Sequence, residues 1–223
     1  SVIENIKIVN AKYFHEKSGS SIELNYKIYG NGILKIKQTL YPSGAENPEL
    51  PRFGMKVSVN ETFDNLEWFG RGPHESYWDR KTSAKIDRYK GKVIDQTYKY
   101  VRPQETGNKT DIRWLALYNG SIGLMVKGLP VFDGSVHHYD YALLDYYKRS
   151  QRHGKIDITK GDQIDLIVDH KQMGVGGDNS WGAKPHPKYT LPMDTTVYNL
   201  EYAIIPFNKN NELDALSRIN IDN

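Results

Sequence analysis

Apolar and polar residues alternate with a period of two along most of this chain, the pattern of half-buried β-strands. Ile22, Leu24, Tyr26 and Ile28 alternate with polar residues, Gly30-Asn31-Gly32 interrupts them, and Leu34 and Ile36 resume the period, which predicts a hairpin. Met55 to Val59 repeats the alternation after a polar loop over 41–48. A second hairpin is predicted where Asp111 to Leu117 and Ile122 to Val126 flank Asn119-Gly120, placed for a two-residue primed turn with positive φ. A third is predicted around Lys160-Gly161-Asp162, joining Ile156–Ile158 to the run Ile164 to Val168. Only Tyr141 to Lys148 has helical spacing, through Leu143, Leu144 and Tyr147. Thr195 to Pro206 returns to strand.

Many short strands with almost no helix predict an all-β sandwich or barrel. With no linker-like stretch and no internal repeat, residues 1–207 read as one domain. Residues 208–223 read as a polar tail that frays or forms a stub of helix.

The run into Val168 leads to DHKQMGVGGDNSWGAKPHP, residues 169–187. Gly174, Gly176 and Gly177 remove side chains just before Trp181, as happens where backbone takes φ > 0 or approaches something closely. Trp181 is therefore the first candidate for a ligand-facing residue, with Asp178, Asn179 and His186 near enough to help. Spacing alone leaves open that Trp181 plugs the underside of its own loop. The glycines do not cradle a nucleotide: Asn179 stands at the third glycine position of a dinucleotide fingerprint, no helix follows, and no P-loop occurs.

Composition narrows the partners. Thirty Lys and Arg against 27 Asp and Glu leave a net charge of +3, scattered along the chain, so nucleic acid is not expected as a partner. No apolar run is long enough to span a bilayer as a helix, and the first residues lack the pattern of a signal peptide. With no Cys there is no disulfide framework or thiolate metal site, and the compartment stays open. Aromatic residues make up 12%, including 16 Tyr, which suits strands and sugar contacts alike.

Seven histidines show no zinc-hydrolase spacing, and no nucleophile elbow occurs. Neighbours in a strand point to opposite faces, so His137 and His138 do not easily share an ion. Glu67, Glu75 and Asp79 are candidates for a glycosidase acid/base pair, although Arg71, Arg80 and Lys81 stand ready to neutralise them. Gly70 to Pro73 reads as a structural turn in which Gly72 takes a conformation closed to β-branched residues.

WFGRGPHESYWDRKTSAKIDRY, YVRPQETGNKTDIRWLAL and DHKQMGVGGDNSWGAKPHPKY, in that order between about Leu50 and Pro206, resemble signature stretches of the C-terminal, small-chain-like domain of the large bacterial β-galactosidases of glycoside hydrolase family 2. The resemblance implies a large antiparallel β-sandwich of the galactose-mutarotase-like type, a supersandwich. It implies a domain without catalytic residues that contacts carbohydrate and completes the site of an adjoining barrel, and a parent enzyme that hydrolyses terminal β-D-galactosides. Residue by residue, it carries a substrate-contacting role onto Trp181 alone. The glutamates, the galactose-binding residues and the magnesium ligands of such enzymes belong to other domains, so no metal or cofactor is expected in this chain. A homo-oligomeric parent of the bacterial cytoplasm or periplasm is the further implication. Nothing before Leu50 matches the segment that opens this domain in the family. A chain that begins inside the domain would leave strand backbone or apolar surface uncovered at one edge.

Two other classes fit the same reading of the residues. An aldose epimerase would draw a His acid and a carboxylate base from His137, His138 and Glu105. A free-standing carbohydrate-binding module would bind sugar unaided.

Overall fold

The computed structural model describes residues 5–44, 47–100, 104–140, 160–208 and 210–221. Its strands are β1 (Lys7–His15), β2 (Ser20–Ile28), β3 (Leu34–Tyr41), β4 (Arg52–Asn60), β5 (Asn65–Gly72), β6 (Lys85–Lys92), β7 (Lys109–Tyr118), β8 (Ile122–His137), β9 (Gln163–Gln172) and β10 (Tyr198–Asn208). All pairings are antiparallel, in the order β1-β2-β3-β10-β8-β7-β5-β6, with β9 paired to β8 and β4 paired to β9. The predicted helix at Tyr141–Lys148 and the strand at Ile156–Ile158 lie outside the described residues.

One strand makes the sandwich. The first half of β8 lies between β10 and β7, whereas residues 133–137 pair with β9, so β9 and β4 leave the plane of the long sheet and cover one of its faces. Phe53 of β4 meets Tyr198 of β10 with ring centroids 6.3 Å apart, and the Tyr202 hydroxyl lies 3.1 Å from the Met55 sulfur. Between the layers sits a core that includes Ile36, Leu66, Trp68, Ile112, Leu115, Phe132, Leu166 and Leu200, all nearly without exposure. The period of two follows from this arrangement: alternate residues enter the core and the rest face away.

The opposite face of the long sheet carries a second, smaller core. Trp114, Ala116, Met125, Ala203 and Ile205 are covered there by Leu216 and Ile221 of the C-terminal segment, whose helix α1 spans Leu213–Ser217. The tail thus forms the stub of helix, and its apolar residues reach the sheet. Arg88 of β6 fastens it, donating to Asp214 at 3.0 and 3.1 Å.

The first hairpin forms as predicted, with the Gly32 N–H donating to the Tyr29 carbonyl at 2.9 Å. The second forms with a different turn: neither Asn119 nor Gly120 has positive φ. Instead the Asn119 side chain accepts the N–H groups of Ser121 and Ile122 at 2.9 and 3.0 Å, an Asx turn that lets the chain reverse without the left-handed region. The reading of Gly72 also needs correcting. Its φ is not positive; a Cβ there would stand 2.7 Å from the Tyr89 ring and 2.9 Å from the Trp68 ring, so the glycine is required by packing. Strand β1 was not foreseen. It is an outer strand on which Ile8, Val9, Tyr13 and Phe14 are exposed, and only β2 pairs with it among the described residues.

Candidate functional site

The segment after β9 leaves the sheet at Met173, whose N–H donates to the Pro51 carbonyl at 2.9 Å, and Leu50 bridges to Leu191 where the chain returns. Between these ties the glycines serve close approach. A Cβ on Gly174 would lie 2.7 Å from the Asp79 carboxyl carbon, and one on Gly177 would lie 2.0 Å from the Ala183 carbonyl oxygen. The sharp bends this permits push residues 178–182 into solvent.

Trp181 is 93% exposed, so it plugs nothing. Its own N–H donates to the Asn179 side-chain oxygen at 2.8 Å, fixing the backbone that carries the indole. Asp178 and His186 close on each other across the loop, with His186 Nε2 2.8 Å from Asp178 Oδ1. The four residues singled out from sequence therefore share one loop, but three of them shape it and one projects. Exposure of a large apolar ring on a backbone-braced loop is costly unless a partner covers it.

Trp78, Lys171 and Tyr189 were not singled out from sequence, yet they form the floor beside the loop. The Trp78 ring meets Tyr189 edge-on at 5.9 Å and carries the Lys171 ammonium 4.1 Å from its centre. No signal in the sequence marked the turn that carries Trp78 and Asp79; it is seen in the Tyr77–Arg80 bridge.

The three candidate carboxylates are spent elsewhere. Glu67, buried on β5, pairs with the more exposed Arg88. Glu75 accepts from Arg80 at 2.6 Å, from the Gly107 N–H at 2.8 Å and from the Tyr100 hydroxyl. Burial pushes its carboxyl up, but these donors outweigh burial and hold it below the usual carboxylate range. Asp79 accepts the Gly176 N–H at 2.7 Å.

The groups an epimerase would use are buried in the sandwich. Burial takes His137 down to about 3, helped by the Lys109 and Arg52 charges, so its ring is neutral at pH 7 and has no spare proton to give as an acid. His138 is lowered too, chiefly by burial. Glu105 is pushed up to about 7 by burial, with Arg52 opposing. Among the described residues no group of three or more His, Asp or Glu side chains is arranged to hold a metal ion. No helix among them is long and apolar enough to cross a membrane.

Residues 2–204 match the family model described as "Beta galactosidase small chain". The chain belongs to the β-galactosidase small-chain family. A β-galactosidase of Priestia megaterium is 43% identical over 193 residues, covering 86% of this chain and 18% of that protein. A β-galactosidase of Halalkalibacterium halodurans is 31% identical over 196 residues, covering 85% of this chain and 19% of the relative. The chain thus spans under a fifth of the curated relatives it matches. Among solved structures, a galactose 1-epimerase of Lactobacillus acidophilus aligns over 93% of this chain and 65% of its own, at 11% identity and a TM-score of 0.43.

Proposed function

We propose that this small-chain domain completes the substrate site of a β-galactosidase that hydrolyses terminal β-D-galactosides, without supplying catalytic residues of its own. The observation that carries this reading is Trp181, a nearly bare indole on a loop whose backbone is braced from within. A sugar presents an apolar face of C–H groups, and an indole covers that face while the hydroxyls turn to polar neighbours. Asp178, Asn179 and His186 are the polar groups of the same loop. The catalytic barrel of the parent chain is the proposed partner; there two carboxylates about 5 Å apart would carry out the retaining reaction. Glu67, Glu75 and Asp79 are each engaged by a local donor, which supports placing the chemistry elsewhere.

In the whole enzyme Trp181→Leu should weaken substrate binding or transfer to a sugar acceptor by roughly 1–3 kcal/mol, by analogy with aromatic stacking on bases. Kinetics on lactose for wild type and variant, with melting curves of both, test the reading. Unchanged kinetics in a folded variant would overturn it. The epimerase alternative predicts that the chain speeds the change in optical rotation of α-galactose, which a neutral, buried His137 opposes.

A further inference from the structure

We propose that Asp79 is the positioning residue of the Trp181 loop, an inference that rests on the reading of Trp181 as a sugar platform. Tyr77 and Arg80 exchange backbone hydrogen bonds at 2.9 and 3.2 Å, which puts Trp78 and Asp79 at the tip of a two-residue turn. That turn is rigidly founded. Tyr77 is wholly buried, and Arg80 is bound to Glu75 at 2.6 Å.

The tip reaches up to the glycine loop. Asp79 Oδ2 accepts the Gly176 N–H at 2.7 Å, a hydrogen bond to a charged acceptor and so stronger than its neutral counterpart. Gly174 passes so close to the same carboxylate that a methyl there would meet it at 2.7 Å. The other carboxylate oxygen, Oδ1, is buried and makes no hydrogen bond among the described residues, so the bond to Gly176 is the connection this side chain serves.

The alternative anchors are weak. Because Trp181 is 93% exposed, no packing beneath the indole holds it, and its place is set by its backbone alone. Among the described residues the other side-chain tie from 176–186 to the body of the domain is Lys184 to Glu49 at 2.8 Å. With Lys184 72% exposed, that pair falls in the class of surface ion pairs that contribute little. Asp79 therefore sets the height at which Trp181 stands, acting on substrate only through the loop.

Amide hydrogen exchange of the 223-residue chain reads the anchor directly. Asp79→Ala should speed exchange over Gly176 to Trp181 by roughly tenfold, the scale of one lost charge-assisted hydrogen bond. Asp79→Asn keeps an acceptor and should restore most of the protection. Gly174→Ala, which leaves the carboxylate in place and drives a methyl into it, should loosen the same amides even where Asp79→Ala folds poorly. Unchanged exchange in Asp79→Ala and Gly174→Ala would overturn the proposal. In the whole enzyme Asp79→Ala should raise KM or impair transfer in step with Trp181→Leu, with Asp79→Asn close to wild type. Faster exchange in Asp79→Ala with no kinetic effect of Trp181→Leu would leave the anchor standing and sink the sugar-platform reading instead.

Discussion

Arg52 holds Asp169 with two nitrogens, Nε at 2.9 Å and Nη2 at 2.8 Å, and stands 3.6 Å from Glu105 with the third. One guanidinium thus faces two carboxylates, that of Asp169 buried and that of Glu105 half-buried. Burial pushes Glu105 up to about 7 and Asp169 up to about 6, with Arg52 opposing in both cases. The arrangement cannot ionise both acids cheaply.

The pH dependence follows with a definite sign. A carboxyl whose folded pKa is raised keeps its proton after the unfolded chain has released its own, so its stabilising contribution is complete below the ordinary value of 4.5 and is lost as pH rises through about 7. His137, lowered to about 3, works in the opposite direction below its ordinary value of 6.5, so the wild-type curve alone is ambiguous. Comparison with Glu105→Gln removes the ambiguity. The variant should match wild type near pH 5 and exceed it near pH 8, by about 3 kcal/mol at most. Melting temperatures of both proteins across that range check it; a constant offset would show that Glu105 does not titrate in this window.

Gly72→Val should lower the melting temperature because the new side chain meets the Trp68 and Tyr89 rings, themselves 5.3 Å apart between centroids. Overpacking of this kind costs about 1–3 kcal/mol. Pairing Gly72→Val with Tyr89→Ala tests the cause: the valine should cost less once the ring it strikes is gone. An equal cost in both backgrounds would point to backbone strain instead.

Periodicity disclosed the strands, because a half-buried strand writes its two faces into alternate positions, as Met55 to Val59 do; in β2 the faces are less distinct, and Ile28 stays exposed. It could not disclose that β8 changes partners midway, since pairing between Gly134 and Val168 depends on chain that is distant in sequence. Turn chemistry was half legible. Asn119 marked the reversal correctly, but the same residue type serves a primed turn and an Asx turn. At the candidate site the glycines pointed to the loop, whereas the turn supporting it did not stand out. Asp79 had looked like one carboxylate among three, and only its contact with Gly176 separates it from Glu67 and Glu75.

The 223-residue chain alone should give no turnover of a chromogenic β-galactoside. Retaining hydrolysis needs one carboxyl free to donate a proton and another free to attack, and Glu75 is fixed by Arg80, Tyr100 and Gly107 while Glu67 is paired with Arg88. Glu75→Gln should instead appear as a loss of stability, because a half-buried acceptor of four donors, Thr106 among them, is weakened. Activity in the pure chain that Glu75→Gln abolishes without unfolding would contradict both expectations.

Asn179 supplies the last test of the loop. Its side chain accepts the Trp181 N–H at 2.8 Å in a fully exposed stretch, so the bond contributes little to folding but removes freedom from the backbone that carries the indole. Asn179→Ala should leave the melting temperature unchanged, while in the whole enzyme it weakens sugar transfer by about 0.5–1.5 kcal/mol, the net worth of one hydrogen bond. Asn179→Asp keeps the acceptor and should lose less. The decisive comparison is a double-mutant cycle with Trp181→Leu. Once the indole is gone, orienting its backbone is worthless, so Asn179→Ala should have no further effect in that background. If the two losses simply add, Asn179 acts on the sugar by itself, and the loop offers a polar contact beside the aromatic one.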